Sequence, residues 1–265
     1  MKVGLLIDTT KCIGCRGCTL ACKEANGLPL DDGGKGLSAT TWTTVEDKGG
    51  VHVRRQCMHC EDPACASVCP VGALHKTDEG PVVYDENKCI GCRYCMVACP
   101  FGIPRYEWSK AVPRVRKCIL CHEQAVKHGK PTACASVCPT GATLFGERPA
   151  LVKEAERRLQ EEPSRYWQAI YGAREAGGTS VMYLAAVDFE KLGFKTTLQS
   201  AAYPQLTWSV LSRLPNVVSV AGVGLAGVWW LMNRREEVTA AEAASPASND
   251  NPEAPFPPSK GKEKP

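Results

Sequence analysis

Sixteen cysteines run along this 265-residue chain in four groups of four. The tightest group is "KCIGCRYCMVACPFGIP", in which Cys89, Cys92, Cys95 and Cys99 fall within eleven positions and a proline follows the last. Geometry argues against disulfides there, because thiols this close in a short loop cannot all find partners at the required separation and torsion. Zinc favours two well-separated CxxC pairs, and three cysteines at successive CxxC steps crowd one tetrahedron. The run C-x2-C-x2-C-x3-C-P suits an iron-sulfur cube: three cysteines wrap one [4Fe-4S] centre and the fourth ligates the other centre of a pair.

The other groups vary the same unit. Cys12, Cys15, Cys18 and Cys22 keep the spacing but have Lys23 in place of the proline. Cys57, Cys60, Cys65 and Cys69 widen the middle gap to four residues and keep Pro70; Cys118, Cys121, Cys134 and Cys138 widen it to twelve and keep Pro139. No thiol is left over, which argues against scattered disulfides and against a lone catalytic cysteine. Four [4Fe-4S] clusters are the expectation, with four zinc sites or mixed occupancy as the alternative; colour separates them, since zinc proteins are colourless. Spacing alone does not pair the motifs, because motif three lies close to both two and four.

The elements that must position these loops are short. Residues 1–148 hold closely spaced ligands with many Gly and Pro, so metal binding must supply much of their folding free energy. Val3 to Ile7, "TTWTTVED", "VHVRRQC" and "GPVVYDENKC" read as strands, giving a cadence of strand, ligand loop and short helix repeated four times. Residues 149–209 read as a peripheral extension. In it, Leu151 to Glu162 form an amphipathic helix ended by Pro163, and "SVMYLAAVDF" supplies one apolar strand. Leu214 to Asn233 carry no charge and are long enough to cross the roughly 30 Å hydrocarbon layer. Trp229, Trp230, Arg234 and Arg235 supply the aromatic belt and basic flank of a membrane span at 210–233. A buried core helix is the alternative, but residues 234–265 have the composition of disorder and could not cover it. The basic flank favours a cytoplasmic C-terminus, with the cluster region outside.

Other functions find little support. A net charge of +4 with no basic stripe gives no reason to expect nucleic acid. "GVGLAG" matches a dinucleotide fingerprint in letters only, lacking the preceding strand and downstream acid; its small residues suit helix packing in a membrane. With no phosphate loop, and with every cube fully ligated, the chain reads as an electron carrier without a substrate site. Thiolate ligands imply assembly where cysteines stay reduced, and Cys12 leaves no room before it for a cleaved signal. His59 and His122 are expected to hydrogen-bond backbone. Arg54, Arg55, Arg93, Arg114 and Arg116 either offset the charge of the clusters or are simply solvated.

Taken together, "CMHCEDPACASVCPVGAL", "CIGCRYCMVACPFGIPRY", "KCILCHEQAVKHGKPTACASVCPTGATLFG", "GGTSVMY" and the single span resemble the four-cluster iron-sulfur (beta) subunit of membrane-bound respiratory oxidoreductases. The similarity is greatest to the quinone-linked formate dehydrogenase and periplasmic nickel-iron hydrogenase types, over about residues 3–232. The resemblance implies an α+β fold of nested bacterial ferredoxin-like cluster domains with small sheets and short helices, plus a C-terminal transmembrane helix. It pairs motif one with four and two with three, each last cysteine swapping partners. The implied ligand sets are Cys12, Cys15, Cys18 and Cys138; Cys118, Cys121, Cys134 and Cys22; Cys57, Cys60, Cys65 and Cys99; and Cys89, Cys92, Cys95 and Cys69. All four ligands of the last motif are cysteines, so four cubanes are implied and not a three-iron cluster. The implied partners are a molybdenum or tungsten formate dehydrogenase-like catalytic subunit, or a nickel-iron hydrogenase, and a membrane cytochrome b or quinone-reactive subunit in the inner-membrane bilayer. Hydrogenase-type subunits often begin with a twin-arginine signal that is not seen here. The formate dehydrogenase type is therefore the expectation, exported folded beside a signal-bearing partner.

Overall fold

Motif one begins after β1 (Val3–Asp8) and runs into α1 (Gly17–Ala25), which carries Cys18 and Cys22. The structure, a computed structural model, describes residues 2–31 and 36–244. A hairpin of β2 (Thr44–Lys48) and β3 (Val51–Arg55) delivers the chain to motif two, whose helix is α2 (Ala64–Ser67). A second hairpin, β4 (Leu74–Lys76) and β5 (Val82–Tyr84), precedes motif three and α3 (Tyr94–Ala98). A third, β6 (Arg105–Tyr106) and β7 (Val115–Arg116), precedes motif four and α4 (Ala133–Ser136). Then follow β8 (Thr143–Glu147), α5 (Arg148–Glu161), β9 (Val181–Leu184), α6 (Tyr203–Leu211) and α7 (Leu214–Ala244).

The architecture is a mix of short helices and small sheets, and the motifs are nested. After motif four, β8 returns antiparallel onto β1, with Val3 opposite Glu147 and Ile7 opposite Thr143, and α1 packs on α4. Inside that layer, β4 pairs with β5, Leu74 opposite Tyr84, and α2 packs on α3. The β2–β3 turn is only Gly49 and Gly50, at φ +63° and +86°; two left-handed residues are what a two-residue hairpin turn of this kind demands.

Residues 149–209 are not peripheral. β9 lies parallel to β1, Leu5 opposite Val181 and Asp8 opposite Leu184, so β1 is the central strand in the order β8-β1-β9. Val181, Met182, Tyr183 and Leu184 are all buried, and Tyr171, Phe189 and Phe194 join Leu5, Ile7 and Val53 in the main core. Met1–Ser209 accordingly forms one compact unit. A four-residue apolar run reads the same at an edge as at a centre; what identifies it is the partner on each side.

Two helix boundaries also differ from expectation. α5 begins at Arg148, with Pro149 in its first turn, because the fixed φ of proline and its missing N–H suit that position. α7 continues through "RREEVTAAEAA" to Ala244, so residues 234–244 are helix; these are good helix formers, and Arg234 pairs with Glu237 at 3.2 Å. The remainder of the expected tail, residues 245–265, lies outside the described residues. Within Tyr203–Ala244 an 18-residue window has a mean hydropathy of 1.5 and no buried residue, long and apolar enough to cross a membrane, which fits a single-pass anchor.

Candidate metal centres

Each motif opens on a C-x-x-C loop whose residue before the second cysteine is left-handed: Gly14 at φ +70°, His59 at +50°, Gly91 at +71° and Leu120 at +55°. Glycine takes this conformation freely, whereas His and Leu are strained there. The turn aims backbone N–H groups at sulfur. Leu120 N–H lies 3.3 Å from Cys118 Sγ, and the N–H groups of Gly14 and Gly91 likewise favour the thiolates of Cys12 and Cys89.

Each motif closes in one of two ways. Cys69, Cys99 and Cys138 are followed by Pro-x-Gly, and the glycines Gly72, Gly102 and Gly141 all sit at φ +62°. Each donates its N–H back to the carbonyl of that cysteine, at 3.2, 3.1 and 3.3 Å. Proline stops the helix at the fourth cysteine, which keeps α2, α3 and α4 to four or five residues. Lys23 lets α1 run to nine. Its ammonium is buried on the carbonyls of Pro29 and Thr40, at 3.1 and 2.9 Å, and on Asp31 at 2.8 Å.

None of the sixteen cysteines is in a disulfide. One cavity is lined by Cys69, Cys89, Cys92 and Cys95 with Leu74, Tyr84, Ile90 and Val115. Another is lined by Cys12, Cys15, Cys18 and Cys138 with Ile7, Val45, Arg54 and Thr143. Among the described residues, no three His, Cys, Asp or Glu side chains converge on a single-ion site, as a four-thiolate zinc at about 2.3 Å from each sulfur would require.

The remaining thiols interact in recognisable company. Burial pushes Cys22 up to about 12, with Cys134 and Cys121 adding to the shift. Burial raises Cys118 strongly, with Cys22, Cys57 and Cys134 adding. Cys60 is raised by burial and then by Cys57, Cys99 and Cys65. Burial lifts Cys65 to about 12, Lys117 opposing and Cys57, Cys99 and Cys95 adding. Free thiols so placed hold their protons, and a metal that binds there must displace them.

The fit to an iron-sulfur group rests on unanswered donors as well as on thiols. Val82 N–H donates to His59 Nδ1 at 2.9 Å, so Nε2 carries the ring proton; burial, with Lys117 and Lys76 nearby, keeps the ring neutral. His59 Nε2 and Gln56 Nε2 are buried beside Cys57 and have no protein acceptor. Sulfide and thiolate sulfurs are acceptors of the kind such donors lack.

Of the five arginines singled out from sequence, three pair with carboxylates and Arg93 borders the cavity of Cys69, Cys89, Cys92 and Cys95. Arg55 pairs with Glu46 at 3.5 Å and lies 4.1 Å over the Phe194 ring. Arg93 stacks over Tyr106 and Trp108. Arg114 and Arg116 reach Glu86 at 3.7 and 2.7 Å. Only Arg54 is buried against cysteines, its Nη2 lying 2.9 Å from Cys134 Sγ. His122 likewise departs from expectation, holding the carboxylates of Glu79 and Glu123 at 3.2 and 3.0 Å. Sequence reading passed over Lys117, buried one residue before Cys118 and donating to the carbonyls of Val82 and Cys118. Its position beside Cys118 was the available signal.

Comparison with known proteins settles the family. Residues 50–148 match a 4Fe-4S dicluster domain, and residues 11–73 match a second domain of the same description. A protein of Nitratidesulfovibrio vulgaris is 40% identical over 258 residues, covering 91% of this chain and 70% of the relative. Hydrogenase-2 operon protein HybA of Escherichia coli O157:H7 is 36% identical over 237 residues, 72% of each chain. The iron-sulfur subunit of the nitrate-inducible formate dehydrogenase of Escherichia coli K12 is 38% identical over 202 residues, 69% of this chain and 68% of the relative. The chain belongs to this family of iron-sulfur electron-transfer subunits. As a 4Fe-4S electron-transfer subunit, it has the chemistry its loops are built for: thiolate ligands, backbone donors to sulfur and largely buried surroundings, the features that set a cluster's potential.

Proposed function

We propose that the chain carries four [4Fe-4S] clusters in series and passes electrons from a catalytic subunit of formate dehydrogenase type to a cytochrome b or quinone-reactive partner in the membrane, without a substrate site of its own. The proposed ligand sets are those implied by the family. Two cavities lined by Cys12, Cys15, Cys18 and Cys138 and by Cys69, Cys89, Cys92 and Cys95 support them, as does the packing of α1 on α4 and α2 on α3. The thiols also support an order. Cys18 interacts with Cys134, Cys118 with Cys57 and Cys65 with Cys95, which links the four sets end to end. Bound there, the clusters supply one-electron sites; the chain's own work is to space them and tune them through N–H donors, buried cations and burial.

The observation that carries this reading is the fourfold loop, each copy with a left-handed residue before its second cysteine, in a chain similar to electron-transfer subunits. Replacing Cys95 by Ser is expected to abolish quinone reduction by the purified complex while leaving the catalytic subunit's activity with an artificial dye; undiminished quinone turnover would sink the proposal. A hydrogenase partner is the second reading, favoured by the longer alignment with HybA, 237 residues against 202. Metal analysis of the complex decides: molybdenum or tungsten with iron supports the first, nickel with iron the second. We further propose an inner-membrane location with the cluster unit on the periplasmic side, exported with a signal-bearing partner. Its support is Arg234 and Arg235 directly after the apolar stretch.

A further inference from the structure

Arg54 lies on β3, the strand that feeds motif two, yet its side chain turns to the cysteines of motifs one and four. It lines the cavity of Cys12, Cys15, Cys18 and Cys138, and its Nη2 donates to Cys134 Sγ at 2.9 Å. Nε and Nη1 are held by Thr43 and Thr143 Oγ1 at 3.0 and 2.9 Å, and Nη2 also meets Gln56 Oε1. The side chain is 2% exposed. Among the described residues no carboxylate forms an ion pair with it, whereas the buried Arg158 has both Asp8 and Glu154.

Burying an unpaired cation is costly, so the negative charge it answers is that of the cysteine sulfurs once a metal centre has displaced their protons. The side chain reaches both sides: it lines the cavity of Cys12, Cys15, Cys18 and Cys138 and donates to Cys134 Sγ of the other set. A guanidinium keeps its charge when buried and offers several donors in a fixed plane.

We propose that Arg54 is a positioning residue for electron transfer: one buried guanidinium shared by the ligand sets Cys12, Cys15, Cys18, Cys138 and Cys22, Cys118, Cys121, Cys134, raising the reduction potential at both. The inference rests on the reading of those sets as [4Fe-4S] sites. Each site takes up one electron from the preceding carrier and hands one on, with no bond made or broken. Arg54 stays protonated throughout, so no proton need accompany the electron, and the cation stabilises the more negative, reduced state at each site.

The test is a redox titration of the purified membrane complex, followed by electron paramagnetic resonance, with iron and sulfide counted in each preparation. Arg54→Gln is expected to keep its iron and to lower two of the four midpoint potentials by at least tenfold in the reduction constant, 59 mV for one electron. The other two should stay in place, and the shift should be the same from pH 6 to pH 8. Arg54→Lys should restore most of it. If Arg54→Gln loses iron and Arg54→Lys keeps it, the charge is what the two sites need, and the proposal stands. Unmoved potentials in a fully loaded Arg54→Gln would overturn it. So would equal iron loss in both variants, which would make the role structural. A wild-type complex without iron-sulfur signals would instead overturn the underlying reading, whatever the variants do.

Discussion

At the scale of single residues, the ligand loops spend conformational energy for orientation. Gly14 and Gly91 are left-handed at no cost, while His59 and Leu120 hold the same conformation because their side chains are buried, His59 on Val82 N–H and Leu120 in the core. The approach to motif one depends on a buried acid. Asp8 accepts from Arg158 Nη1 and Tyr166 Oη at 2.9 and 2.8 Å and from Thr10 N–H and Oγ1 at 3.0 and 2.6 Å. Asp8→Asn leaves Arg158 with Glu154 as its one carboxylate partner and is expected to cost about 1–3 kcal/mol, read as an earlier loss of the brown absorption in urea. Glu154, by contrast, is held down at about 2, chiefly by its hydrogen bonds to Arg157. Its folded-state pKa lies below the ordinary ~4.3. Its contribution is therefore complete above that value and lost as pH falls through about 2. The urea-midpoint gap between wild type and Glu154→Gln should hold from neutral pH to about 5 and narrow below it.

At the scale of elements, β1 carries the cluster unit, since β8 and β9 flank it and motif one follows it. Gly4 is the close approach: a Cβ there would lie 2.1 Å from the carbonyl oxygen of Ser180, in backbone that cannot swing aside. Gly4→Ala is expected to part β1 from β9, lowering the iron content of the purified complex and the urea midpoint together. A change of only one of the two would disconnect the sheet from the metal loops. Lys23 illustrates a trade at the same scale. Where the other motifs stop their helices with proline, this one extends α1 and uses the buried ammonium to gather the carbonyls of Pro29 and Thr40.

At the scale of the whole molecule, two units differ in what they bury. Met1–Ser209 builds its own cores, whereas α7 contributes no buried residue and exposes Val217, Val220, Val223 and Leu225. Such a surface is satisfied by lipid. Val223→Arg, near the middle of the apolar run, is expected to cost roughly 2.5–3.5 kcal/mol of insertion. The measurement is alkaline carbonate extraction, which should release more of the variant than of wild type from membranes.

Much of the site was legible in the sequence because its information is local. C-x-x-C and Cys-Pro spacings define loops of a few residues, and a ligand's type and its loop neighbours are fixed by adjacency, so the sixteen thiols, the four repeated units and the apolar span could be read directly. Long-range contact decided the rest. That α1 meets α4 and α2 meets α3, and that β9 joins β1 from more than 170 residues away, has no signature in spacing. Nor has the direction of Arg54. An alternating strand with buried Val53 assigns its neighbour to the opposite face, but only the tertiary structure puts Cys134, Thr143 and a cysteine-lined cavity on that face, because burial of a charge depends on what the rest of the chain brings to meet it.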